Sequence, residues 1–209
     1  MKKILWVVIV LLAFVGLYFL FSQGGPKIEP SLEVGVLHPL DNVKGNSTST
    51  IVLMEYSDFQ CPACRGYYIV LRQIVQEFGD RIAFVYRHFP LTGIHANAEF
   101  AARAAEAAGE QGKFWEMHDI LFEKQSEWSN VGNVTELFES YAKLLDLDIE
   151  KFRADWKSDS VKNFVSAQRI HSLKSGLQGT PSFFINGERI QNPSSLEEFR
   201  KIIIEALAK

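Results

Sequence analysis

The chain has 209 residues, 47% of them apolar, and its 22 basic and 25 acidic residues leave a formal charge of -3. That composition excludes a disordered chain and suffices for one sizeable core or two small ones. No basic stripe or block of like charges occurs, which excludes nucleic acid as an expected partner.

Lys2 and Lys3 precede an uncharged run from Ile4 to Phe21, rich in Leu, Val, Ile and Phe. As a helix that run reaches about 27 Å, close to the hydrocarbon thickness of a bilayer. It has no polar face, which disfavours a buried core helix. The lysines favour a cytoplasmic N-terminus and send the rest of the chain across the membrane. Residues 1–22 are therefore expected to be an uncleaved membrane anchor. The competing reading is a signal peptide cut near Ser22-Gln23-Gly24, which would leave a secreted protein. Either way the remainder is extracytoplasmic, where disulfides persist.

Residues 23–50 carry Gly24, Gly25, Pro26, Pro30, Gly35, Pro39 and Gly45 and end in a polar run, the composition of a linker, with one short strand expected at Leu32 to Leu37. Ile51 to Tyr56 has the continuous apolar character of a buried strand. Tyr67, Leu71, Ile74, Val75 and Phe78 then recur at helical spacing, and Gly79 supplies a stop. Ile82 to Tyr86 returns to strand character and completes a strand-helix-strand unit.

Residues 94–176 show only helical signals: an alanine-rich helix to Gly109, a second around Phe114 to Phe122, and a third with Asn133 and Glu136 at capping-box spacing. Shorter helices near Ile149 to Trp156 and Val161 to Lys174 follow. Ser182 to Ile185 and Glu188 to Gln191 flank Asn186-Gly187, a strong hairpin signal. Ser195 with Glu198 caps a last helix whose apolar face is Leu196, Phe199, Ile202, Ile203, Ala206 and Leu207. The simplest assembly is one sheet, from residues 51–93 and 177–209, interrupted by a helical domain at 94–176.

The two cysteines of the chain stand in Phe59-Gln60-Cys61-Pro62-Ala63-Cys64, at the start of the first helix. With Cys61 as N-cap, Pro62 takes a position where its missing N–H costs nothing, and Cys64 lies one turn inward on the same face. That spacing suits a disulfide that opens and closes without large backbone movement. Free N–H groups and the helix dipole favour a thiolate on Cys61, which makes it the attacking and attacked sulfur. Cys64 is the partner that closes the ring. A bridge across so short a loop restrains the unfolded chain little, which weakens a purely structural role. A zinc site lacks a second ligand pair, and no cofactor beyond the Cys61–Cys64 disulfide is expected.

The segment Phe59-x-Cys61-Pro62-Ala63-Cys64 after an apolar strand, together with Gly179-Thr180-Pro181-Ser182-Phe183-Phe184-Ile185-Asn186-Gly187 before a closing helix, resembles the DsbA-like branch of the thioredoxin superfamily over about residues 51–209. The resemblance implies an α/β thioredoxin-like fold with an inserted helical domain, and a redox pair Cys61–Cys64. It also implies a cis bond before Pro181, against the general preference of X-Pro bonds for trans. Thr180, Pro181, Pro62 and Ala63 would then form the substrate-binding surface, with the backbone of Thr180 pairing with an extended substrate. Glu55 matches a position where the family often has a buried acid able to relay a proton to Cys64. Pro62-Ala63 lacks the histidine that strongly oxidising members carry between the cysteines, so a less depressed Cys61 and a milder oxidant are expected.

The expected function is a thiol-disulfide oxidoreductase that introduces disulfides into exported proteins and is recharged by a DsbB-like membrane partner. A reductase or isomerase fed by a membrane donor, and a non-catalytic binding or chaperone module, are the alternatives. His38, His88, His95, His118 and His171 have no metal spacing, although His88 and His95 frame a loop that could adjoin the site. Trp115, Trp128 and Trp156 are expected to be packing residues. Asn46-Ser47-Thr48 and Asn133-Val134-Thr135 match a glycosylation pattern that is common by chance.

Overall fold

The computed structural model describes residues 34–208. The expected anchor at residues 1–22 and the first part of the linker lie outside the described residues. Among the described residues, no helix is long and apolar enough to cross a membrane.

Among the described residues, five strands form one sheet: β1 (Asn42–Gly45), β2 (Val52–Ser57), β3 (Ala83–His88), β4 (Ser182–Ile185) and β5 (Glu188–Ile190), in the order β1-β3-β2-β4-β5. β2 and β3 are parallel and every other pair is antiparallel. All six residues of β2 and of β3 are buried, because the sheet is covered on both faces. Val52, Met54 and Tyr56 pack on one side with Val85, Phe184 and Leu177. Leu53 packs on the other with Leu71, Ile74 and Phe78 of helix α1 (Pro62–Phe78) and with Phe199 and Ile203 of the last helix, Leu196–Leu207.

Between β3 and β4 run α2 (Ala98–Gly109), α3 (Phe114–Glu123), α4 (Gln125–Trp128), α5 (Thr135–Leu144), α6 (Ile149–Lys157) and α7 (Asp159–Lys174); the last helix is α8. Alanines line the buried side of α2, which lets its backbone approach α3 closely, while Trp128, Phe138, Phe152 and Trp156 fill the rest of this core. The same apolar cluster includes Phe59, Cys61, Cys64, Tyr68 and Tyr86, so the inserted helices and the cysteine-bearing helix share one core.

Two local expectations differ from the structure. The first strand lies at Asn42–Gly45, and the described part of the expected strand, Val34 to Leu37, forms turn and irregular backbone. The segment is fixed by long-range contacts: Arg87 and Asp41 form a fully buried ion pair at 2.8 Å, with Arg87 also donating to Val36 O. The expected capping box at Asn133 is the second difference. Asn133 Oδ1 accepts from Thr135 N, and Val134 occupies the N-cap without a side-chain bond.

The Asn186-Gly187 turn forms as expected, with φ of 50° and 85° at its two residues, the left-handed pair that a two-residue hairpin requires. Ser195 Oγ accepts from Glu198 N at 3.1 Å at the start of α8. Replacing Ser195 with Ala is expected to cost about 1 kcal/mol in urea unfolding, since one orphan donor loses its partner.

Candidate active site

The chain turns from β2 into α1 through Asp58, Phe59 and Gln60, and each of these residues is tied down. Asp58, fully buried, accepts from Gln60 N at 2.7 Å and Leu91 N at 2.9 Å and pairs with His95 Nδ1 at 2.7 Å, while its carbonyl accepts from Cys61 N. The inserted helices supply the other restraints. Gln125 Nε2 donates to Phe59 O at 2.7 Å and Cys61 O at 3.0 Å. Gln60 donates to Ser129 O and accepts from Asn97 N. The turn carrying the first cysteine is thus held by residues far away in sequence.

Cys61 is the N-cap of α1, with φ -71° and ψ 123°, and Pro62 stands at the first helical position. Cys61 is 7% exposed and Cys64 fully buried; both are free thiols here. Across from them the Thr180-Pro181 bond is cis, and Cys61 Sγ lies 3.5 Å from Thr180 O. The Thr180 hydroxyl is buried and has no hydrogen-bond partner among the described residues. Ala63 lines the surface beside the pair together with Tyr67 and Pro193.

The two sulfurs hold protons very differently. The Cys64 thiol donates to Cys61, and this bond, against the opposing effect of burial, brings the Cys61 thiol down to about 5, with help from the backbone N–H groups of Cys64 and Ala63 and from Thr180. Burial, and then the bond to Cys61, pushes Cys64 well above the ordinary thiol range.

Glu55 lies beneath the pair on β2, completely buried. Burial raises its carboxyl to about 8; the 2.7 Å bond from Ser57 Oγ opposes this and the neighbouring Cys61 adds to it. Of the histidines, His95 adjoins the site through Asp58, whereas His88 is buried against Glu106 at 2.8 Å. His118 stacks edge-on to Phe59 and Tyr86 with ring centroids 5.5 Å and 5.0 Å apart. No local signal in the sequence marks Gln125 or Ser57, and none sets His118 apart from the other histidines.

The model of the family described as Thioredoxin matches residues 38–205. The chain belongs to the thioredoxin family. Its thioredoxin-like α/β fold has helices inserted between β3 and β4 and carries the Cys61–Cys64 pair at the start of α1. BdbD from Bacillus subtilis in its oxidised form is similar in fold, with a TM-score of 0.72 at 22% identity over 81% of this chain and 94% of that one. The α-DsbA1 protein of Wolbachia pipientis gives 0.73 at 20% identity over 83% and 94%. A thioredoxin-like oxidoreductase from Silicibacter pomeroyi gives 0.68 at 25% identity over 82% and 95%. Among curated proteins, the Na(+)/H(+) antiporter NhaA 3 of Salinispora tropica is 36% identical over 168 residues, 80% of this chain and 25% of that protein. The chain therefore spans about a quarter of the length of such relatives.

Proposed function

We propose that this thioredoxin-family protein works as an oxidant: it passes its Cys61–Cys64 disulfide to pairs of thiols in exported proteins. The observation that carries this reading is the placement of Cys61 at the N-cap of α1, beside the cis Thr180-Pro181 bond, with Cys64 fully buried one turn inward, an arrangement that brings the Cys61 thiol down and pushes the Cys64 thiol up. A Cys61 thiolate that is stable at neutral pH stabilises the reduced enzyme, and a disulfide whose reduced form is stabilised is a strong oxidant.

In the proposed cycle a substrate thiolate attacks Cys61 Sγ, the Cys61–Cys64 bond breaks, and Cys64 leaves with the electron pair and takes up a proton. A second substrate thiolate then attacks the substrate sulfur of the mixed disulfide and expels Cys61 as a thiolate. Two electrons have passed from the substrate to the enzyme, and the substrate holds a new disulfide. Thr180 and Pro181 form the surface on which the substrate strand lies, with Pro62 and Ala63 below it. Return to the oxidised state requires a membrane oxidase of DsbB-like chemistry, beside which an N-terminal anchor would hold the protein on the extracytoplasmic side.

The reduction potential of the full-length protein, measured by equilibration with glutathione, tests the direction. We expect a value above about -200 mV, between the poise of glutaredoxins and that of DsbA. A value near about -270 mV, that of thioredoxin, would assign the protein to reduction instead.

A further inference from the structure

Each turn of the proposed cycle gives one proton to Cys64 and later removes it, yet Cys64 is fully buried and a bound substrate covers the Cys61 side. Glu55, the carboxyl whose charge acts on Cys64, is itself 1% exposed. It has a second outlook, however. A cavity of about 300 Å³ lies between α1, the sheet and α3; it shares no lining residue with the surface beside Ala63, and its lining includes Glu55, Tyr68, Arg72, Lys44, His118 and Asp119. Glu55 and His118 are buried, whereas Lys44, Arg72 and Asp119 are 35%, 57% and 31% exposed at their side chains. The cavity therefore runs from a sealed floor at Glu55 to a mouth at the surface. At about 30 Å³ of liquid volume per molecule, it has room for several waters.

His118 is built for passage rather than for packing alone. Its Nδ1 is bonded to Asp119 Oδ1 at 2.9 Å, and its Nε2 is buried without a hydrogen-bond partner among the described residues, as is the hydroxyl of Tyr86 beside it. An imidazole held by one nitrogen and open at the other can accept a proton on one side and release one on the other.

We propose that the proton exchanged at Cys64 travels between Glu55 and solvent through this cavity, with the His118–Asp119 pair of the inserted helices as the relay at its mouth. The proposal rests on the exchange reading above and extends it: the inserted domain contributes chemistry as well as the hydrogen bonds that hold the turn before Cys61. When Cys64 leaves as a thiolate, Glu55 hands it a proton, and the resulting carboxylate is reprotonated through the cavity while the substrate is still bound. Reoxidation runs the same path outward. Burial keeps His118 below its ordinary value, so at neutral pH it conducts as the neutral ring. The groups that set its titration are Asp119 on its own helix, Lys44 on β1, and His88 on β3, with the rings of Tyr86 on β3 and Tyr68 on α1 packed against it. Those facing Glu55 are Cys61 and Cys64 on α1 and Tyr86 on β3.

The test is single-turnover oxidation of a two-cysteine peptide by the disulfide form of the full-length protein, followed from about pH 5 to about pH 9. We expect His118→Ala to slow the step in which the Cys61–Cys64 bond opens by about tenfold, to change the shape of the pH profile, and to be rescued by added imidazole in proportion to its concentration. A His118→Ala rate that matches wild type overturns the route, and so does a slow rate that imidazole leaves unchanged, since that marks a structural role. If His118→Ala does not fold, Asp119→Asn at the partly exposed mouth decides: a several-fold slower opening supports the relay and an unchanged profile overturns it. Wild-type protein that fails to oxidise the peptide at all would instead remove the exchange reading itself.

Discussion

Cys64→Ala is expected to abolish catalytic turnover and, in the same protein, to raise the pKa of the Cys61 thiol from about 5 by about one unit or more. Cys64→Ser should abolish turnover equally, because no internal disulfide can form, yet leave Cys61 largely as it was. The difference follows from the order of causes at Cys61. The largest is the hydrogen bond from the Cys64 side chain, ahead of the backbone N–H groups at the helix start. A serine hydroxyl can donate the same bond and a methyl group cannot. Thiolate absorbance and the pH dependence of alkylation both read the shift. If the two variants give the same Cys61 pKa as wild type, the helix N-terminus alone sets the thiolate, and the neighbouring thiol is a spectator. If turnover survives in either, exchange does not need the pair.

That order of causes shows what the chain disclosed before its structure and what it withheld. Cys61 as N-cap, Pro62 at the first helical position, the Asn186-Gly187 hairpin and the Ser195 cap are local devices, and each was legible because its residues are within four of one another. The buried position of Glu55 was legible in part, from the apolar strand that carries it. β1 was not. Its four residues, Asn42-Val43-Lys44-Gly45, hold one apolar side chain, and it pairs because β3 offers an edge and because Trp115 Nε1 donates to Val43 O. Nor could Gln125 be found: its role is to satisfy the carbonyls of Phe59 and Cys61, sixty-four and more residues away, once the insertion has folded back. His118 is hidden for the same reason, since what distinguishes it is a buried nitrogen without a partner among the described residues, a property of three-dimensional packing. The fold and the reacting sulfurs are written locally, whereas some of the groups that hold the turn before Cys61, Gln125 and Asn97 among them, come from the inserted helices.

Glu55 gives the second large effect, and it appears in stability as a function of pH. The measurement uses the disulfide form, in which Cys61 and Cys64 no longer titrate; burial, the main cause of the shift, remains. Below its ordinary value of 4.5 the carboxyl is neutral in the folded and the unfolded chain alike. Above it the unfolded chain ionises this group while the folded protein keeps the proton until about pH 8, so the native state binds the extra proton and stability falls as pH rises. The slope is about 1.4 kcal/mol per pH unit, which amounts to about 3 kcal/mol between pH 5 and pH 7.5. Glu55→Gln keeps an acceptor for Ser57 Oγ and removes the titration. Urea unfolding of the two proteins at both pH values should therefore give a wild type that loses about 3 kcal/mol more than the variant over that interval. The comparison of slopes cancels whatever the amide costs at any single pH. Equal slopes would mean that Glu55 ionises in the folded protein near its ordinary value, and a carboxylate that has already lost its proton at neutral pH has none to give to Cys64.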